Sequence, residues 1–168
     1  MAVIGDTFGL NAVYNKQVEN VDNNNFESWP ESANYGYFGG GQAPIAIPTI
    51  VNTIDRLDFS NETTSLPGNN LLIGRYDLAA TSSNSYGYFA GGRTPTTVTT
   101  IDRLDFSNET ISLPGKNLFT ARRNLVATSS NSYGYFGGGA TPTRISTIDR
   151  LDFSTETVSN PPASLTEA

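Results

Sequence analysis

Apolar and polar positions along this chain fall into short groups set between turn residues. No stretch of ten residues carries the three-and-four apolar spacing that a helical repeat needs. The segment from Tyr86 to Ser132 shows the unit. Tyr86-Gly87-Tyr88-Phe89 is short, aromatic and flanked by turn residues, which predicts a strand. Gly91-Gly92 ends it where a bulky side chain would block close backbone approach. Thr96 to Phe106 is rich in β-branched residues and predicts a second strand. Asp102, Leu104 and Phe106 share one of its faces, and Ile101, Arg103 and Asp105 share the other. Ser107-Asn108-Glu109 reads as a hairpin turn, after which Thr110 to Leu113 pairs back as a third strand. Pro114-Gly115 marks a loop, and Leu125-Val126-Ala127-Thr128 supplies a fourth strand to the same unit.

That unit is written three times. The block Tyr86-Gly87-Tyr88-Phe89 has counterparts starting at Tyr35 and Tyr133, each followed by its glycines, Gly40-Gly41 and Gly138-Gly139. Ile54-Asp55-Arg56-Leu57-Asp58-Phe59-Ser60 recurs from Ile101 and from Ile148. The spacing is 47 residues from Tyr86 to Tyr133 and 51 from Tyr35 to Tyr86, the four extra residues falling between the two blocks. A period of this size marks an array or a propeller, and four antiparallel strands per repeat make one propeller blade. The expected organisation is all-β. Residues 1–34 form a non-repeat segment, and 35–168 hold the units 35–85, 86–132 and an incomplete 133–168.

Composition narrows the chemistry. The chain has 168 residues, net charge −6, 15% charged residues, and neither cysteine nor histidine. Disulfides, thiolate metal sites, a cysteine nucleophile and a histidine base are thereby excluded. Clustered Lys and Arg are absent, which argues against nucleic acid as a partner. No apolar run is long enough for membrane insertion, and Met1 to Val13 lacks the basic start of a secretory signal.

The repeats resemble kelch-type propeller repeats. The resemblance rests on Gly91-Gly92, on Leu104-Asp105-Phe106-Ser107-Asn108-Glu109-Thr110, and on Ala121-Arg122 before the last strand. The kelch Trp after the turn is missing; Ile111, Thr64 and Val158 stand there. The wording is more specifically similar to kelch-like repeats of bacteriophage structural proteins, notably cyanophage tail or fibre components, over residues 35–168. The resemblance implies a non-enzymatic virion protein whose repeats project while a non-repeat N-terminus attaches. Its expected partners are tail, neck or baseplate proteins, further copies of itself, and a host-surface glycan. The other reading is a carbohydrate-binding propeller of a bacterial surface.

Fewer than three full units fit in the chain, whereas closed propellers use roughly four to eight blades. Aligning Ser159 on Ser112 places Ala168 on Ala121, one residue before the repeat's Arg. A longer polypeptide is the favoured explanation; completion by several copies, or by the N-terminal segment, are the others. That segment carries scattered apolar anchors, Val3, Ile4, Phe8, Leu10, Val13, Tyr14, Phe26 and Trp29, expected to gain order by docking.

Twelve of the eighteen aromatic residues recur in register with the strands and are expected in the core. Asp55, Arg56 and Asp58 recur as Asp102, Arg103, Asp105 and as Asp149, Arg150, Asp152. Local Arg56–Asp58 pairing and contact with a neighbouring strand are expected, in preference to calcium ligation, since alternation splits the aspartates between faces. Arg75 and Arg122 are expected to tie loop carbonyls between blades. The sequons at Asn61 and Asn108 are read as turns. The acids recur by repeat instead of forming one unique cleft pair, so no catalytic residue, cofactor or metal is expected. Variable loops after the glycines, Gln42 to Pro48, Arg93 to Thr97 and Ala140 to Arg144, are the expected display surface.

Overall fold

The structure, a computed structural model, describes residues 34–43 and 49–166. Every regular element among them is a β-strand, and the strands form three antiparallel sheets of three or four strands, none closed on itself. The first sheet contains β1 (Tyr35–Ala43), β2 (Thr49–Asp58) and β3 (Thr63–Ser65), in that spatial order. The second contains β4 (Ala79–Ser82), β5 (Tyr86–Ala90), β6 (Ile101–Asp105) and β7 (Ile111–Ser112), again in sequence order. The third opens with β8 (Val126–Ser129) and β9 (Tyr133–Gly137). A small ribbon, β10 (Ala140–Thr141) and β11 (Thr143–Arg144), precedes its last strands, β12 (Ile148–Asp152) and β13 (Val158–Ser159).

The registers repeat. Tyr88 faces Arg103 and Phe89 faces Asp102 across β5 and β6, as Tyr37 faces Arg56 and Phe38 faces Asp55 in the first sheet. Side-chain alternation then gives each sheet two unlike faces. One carries Phe89, Asp102 and Leu104, followed by Phe106 just past the strand; the other carries Tyr88, Ile101 and Arg103. The first of these faces meets the preceding sheet, with Phe89 and Leu104 clustered against Ile54, Tyr37 and Leu71. The second meets the following sheet, with Tyr88 and Ile101 clustered against Phe136, Leu151 and Leu118.

One expected connection is different. The Leu125–Thr128 segment does not close the unit that precedes it. Val126–Ser129 pairs with Tyr133–Gly137, and Ala79–Ser82 likewise pairs forward with Tyr86–Ala90. Only Ser83-Asn84-Ser85 separates β4 from β5, and closing so short a hairpin costs far less entropy than folding back across the long connector from β3 or β7. The second strand is also shorter than Thr96 to Phe106: the backbone before Ile101 leaves the ladder, with the Val98 N–H donating to the Gly92 carbonyl. The third strand shrinks to Ile111–Ser112.

The glycine pairs explain how the sheets approach one another. Gly91 and Gly92 have φ of 65° and 96°, and a Cβ there would sit 2.8 Å from the Arg122 carbonyl and 2.7 Å from the Tyr76 carbonyl. Side chains are excluded on both counts. Gly138 and Gly139 repeat the backbone shape, with φ of 65° and 95°. At Gly40-Gly41 the first sheet departs from the pattern: β1 runs through the pair with a bulge between Gly39 and Gly41 and ends at Ala43.

Candidate functional site

The repeated polar residues converge on the two sheet–sheet interfaces. In the first interface the guanidinium of Arg75 lies 3.3 Å from Asp102 Oδ2 and donates to the Phe89 carbonyl at 3.0 Å. The same Asp102 oxygen accepts the Leu72 N–H at 3.1 Å. Forty-seven residues on, the arrangement recurs. Arg122 lies 3.4 Å from Asp149 Oδ2 and donates to the Phe136 carbonyl, while Phe119 N–H donates to Asp149. All four charged side chains are fully or almost fully buried. The arginines thus bond strand carbonyls and aspartates of the following sheet, where loop carbonyls had been expected. Burial pushes the Asp102 carboxyl above the usual carboxylate range, opposed first by the Arg75 charge; burial also pulls the Arg75 guanidinium down. The Asp149–Arg122 pair behaves alike. Among the described residues Arg75 Nε and Nη1 and Asp102 Oδ1 have no hydrogen-bond partner. Such a pair contributes little net stability but strongly penalises any register that separates the two charges.

A second cluster lies nearer the surface. Glu109 Oε1 accepts from the Tyr37 hydroxyl at 3.0 Å and from Arg56 Nη1 at 2.8 Å. Arg56 Nε donates to Ser65, and the Arg56 guanidinium lies 4.6 Å from the Tyr35 ring centroid. The Tyr37 ring stacks on Phe106 at 5.4 Å. In the next interface Glu156 takes the Tyr88 hydroxyl and Arg103, with Arg103 over Tyr86 and Tyr88 stacked on Phe153. Burial, then the Glu109 hydrogen bond, pushes the Tyr37 hydroxyl up to about 12. Burial, then the Glu156 charge and its hydrogen bond, moves the Tyr88 hydroxyl in the same direction.

The expected Arg56–Asp58 contact is therefore replaced: Arg56 bridges to Glu109 of the next sheet, and Asp58 turns to its own hairpin. Asp58 Oδ1 accepts the Ser60 N–H at 2.8 Å and the Ser60 hydroxyl, and those bonds, led by the hydroxyl, hold its carboxyl below the usual range. Asp105 and Asp152 repeat this with Ser107 and Ser154. These carboxylates are already occupied. Among the described residues no group of three or more carboxylate, His or Cys side chains could hold a metal ion.

Sequence reading missed the glutamates. Glu109 was read as a turn residue and Glu156 was not singled out, yet Glu109 and Glu156 are the acceptors that join the sheets; Glu62 is their counterpart in the first unit. Each sits at positive φ, 56°, 57° and 53°, an uncommon conformation for a side-chain-bearing residue. The available signal was their recurrence at repeat spacing while the neighbouring position changes from Asn61 and Asn108 to Thr155.

Of the other expected residues, Asp55 is exposed and Arg150 reaches Ser159 and the Tyr133 ring. Phe38 and Phe59 are exposed, contrary to the expected core position. Val3 through Trp29 lie outside the described residues, as does most of the Gln42 to Pro48 loop. Ala140 to Arg144 forms the β10–β11 ribbon, and Arg93 to Thr97 is a bend closed by an Arg93–Thr97 bridge. At the hairpin end of the second interface an open cleft of about 440 Å³ is lined by Asn84, Tyr86, Asn131, Tyr133 and Ser154 among others. Comparison with protein-family models and with curated proteins gives no match.

Proposed function

We propose that this chain is a non-enzymatic structural protein of a phage virion, part of a tail fibre or appendage, built from kelch-like propeller blades. The blades act as a stiff spacer, residues 1–34 dock on a tail, neck or baseplate protein, and the blade ends meet partner subunits or a host surface. One observation favours a mechanical role above all: the repeated Arg, Asp, Glu and Tyr side chains are spent on joining one sheet to the next. The wording of the repeats supplies the virion context. Deleting residues 1–34 is expected to abolish incorporation into particles, read by mass spectrometry of purified virions. Unchanged incorporation would refute the docking role, and absence of the intact protein from virions would refute the assignment.

The cleft at the hairpin ends favours a second reading, a carbohydrate-binding propeller of a bacterial surface. Its tyrosines, amides and hydroxyls are the groups that recognise sugars. That reading predicts saturable glycan binding by the folded protein in calorimetry, lost in Tyr133→Ala.

A further inference from the structure

The two interfaces use one set of complementary faces, and each half of that set is repeated on an outward side of the three-sheet array. On the first sheet the face equivalent to Phe89, Asp102 and Leu104 carries Phe38, Asp55 and Leu57, with Phe59 and Glu62 in the following turn. Phe38 is 61% exposed and Phe59 is 57% exposed. On the third sheet the face equivalent to Tyr88, Ile101 and Arg103 carries Tyr135, Ile148 and Arg150. Arg150 keeps the intramolecular half of its cluster, bonding Ser159 and covering the Tyr133 ring, as Arg103 bonds Ser112 and covers Tyr86.

Beside this face a groove of about 590 Å³ runs along Val126, Gly138 and Leu165. At the equivalent place in the second sheet, Leu125, Leu118 and the Arg122 carbonyl press on Gly91, whereas among the described residues Gly138 meets Leu165 and, more distantly, the Ile145 carbonyl. Leu125 and the Arg122 carbonyl belong to the connector ahead of β8, and no described residue takes their place on Gly138.

We propose that the outer face of the first sheet, centred on Phe38, Phe59 and Glu62, docks on the outer face of the third sheet of a second copy, at Tyr135, Ile148 and Arg150. Phe59 then stacks on Tyr135 as Phe106 does on Tyr37, and Glu62 accepts from Tyr135 and Arg150 as Glu109 does from Tyr37 and Arg56. Glu62 and Arg150 are of opposite charge, and the contact is heterologous, so it propagates or closes into a ring. The contact needs no virion, so its failure is separable from failure of particle incorporation.

Sedimentation velocity on the full chain, from micromolar to several hundred micromolar, tests the contact. A species at twice 18.0 kDa, or a concentration-dependent ladder, is the expected result. A monomer throughout overturns the proposal. Glu62→Arg and Arg150→Glu should each raise the concentration of half-association by about tenfold or more. The Glu62→Arg/Arg150→Glu double variant should restore association, because the reversed charges meet again across the same contact. Glu62 lies in an exposed turn, so its variant keeps the fold, checked by an unchanged circular dichroism spectrum. Association that ignores both single variants would place the contact elsewhere and sink this one.

Discussion

The first and second sheets carry nearly the same strands, yet the same residues live in opposite environments. Phe38 is 61% exposed and Phe89 is 3% exposed, although both close a Tyr-Gly-Tyr-Phe block. Asp55 is exposed, whereas Asp102 is fully buried against Arg75. The register between the Tyr-Gly-Tyr-Phe block and the Ile-Asp-Arg-Leu-Asp block is shared, so it does not cause the difference. The cause is the neighbour: the second sheet has a described sheet packed on each face, and the first has one on its Tyr37–Arg56 face only. Burial in this protein is a property of the interface between repeats, and a repeat alone exposes the surface it is built to hide.

The sharpest way to break that comparison is to remove the equivalent aspartates, at protein concentrations low enough to keep copies apart. Asp102→Ala leaves the Arg75 guanidinium buried without its partner and the Leu72 N–H without its acceptor. A loss of about 3–5 kcal/mol is expected in urea unfolding. Asp55→Ala should change stability by no more than about 0.5 kcal/mol, as an exposed substitution. Equal losses would mean that the first sheet also depends on a buried partner.

The aromatic pair tests the apolar part of the same contrast. Phe89→Ala opens a cavity in the cluster with Ile54, Leu71 and Leu104, and about 3–4 kcal/mol should be lost. Phe38→Ala removes an already hydrated ring, for a loss under about 1 kcal/mol. A smaller asymmetry comes from hydroxyls. Tyr88→Phe deletes the bond to Glu156 and should cost about 0.5–1.5 kcal/mol. Tyr135→Phe, on the outward face of the third sheet, should be close to silent under the same dilute conditions.

How much of this was legible follows from what is local. The Tyr-Gly-Tyr-Phe and Ile-Asp-Arg-Leu-Asp strands, the alternation of faces and the turns at Ser60 and Ser107 depend on residues within one unit, and sequence reading reached them. The forward pairing of β4 and β8 was missed because the fourth strand was assigned by order along the chain, when the three-residue link Ser83-Asn84-Ser85 should have decided it. The partners of Arg56 and Arg75 were missed for a different reason. Glu109 lies 53 residues from Arg56, so spacing within one unit favours Asp58. Only stacking one repeat on the next brings the glutamate within reach. The exposure of Phe38 and Phe59 was illegible in principle from the repeat pattern, which is identical where the rings are buried and where they are not.

The weakest expected effect sharpens the comparison by showing no contrast. The turn carboxylates Asp58, Asp105 and Asp152 each accept bonds from a serine two residues on, within their own sheet. Those bonds, chiefly from the serine hydroxyl, lower the folded carboxyl below its ordinary value. A lowered folded value means that the unfolded chain takes up protons first as the solution is acidified. Stability from these turns is therefore complete above the unfolded value, near 4, and is lost as pH falls through the lower folded value. Replacing any one of the three with Asn should flatten the acid limb of the stability–pH curve by a similar small amount, measured by urea unfolding between about pH 2 and 5. The neighbours of the three turns differ, but the two bonds from the serine do not. If Asp105→Asn flattened the limb and Asp58→Asn left it unchanged, the turns too would depend on the adjacent sheet, and the division between what a repeat makes alone and what it makes with its neighbour would fail.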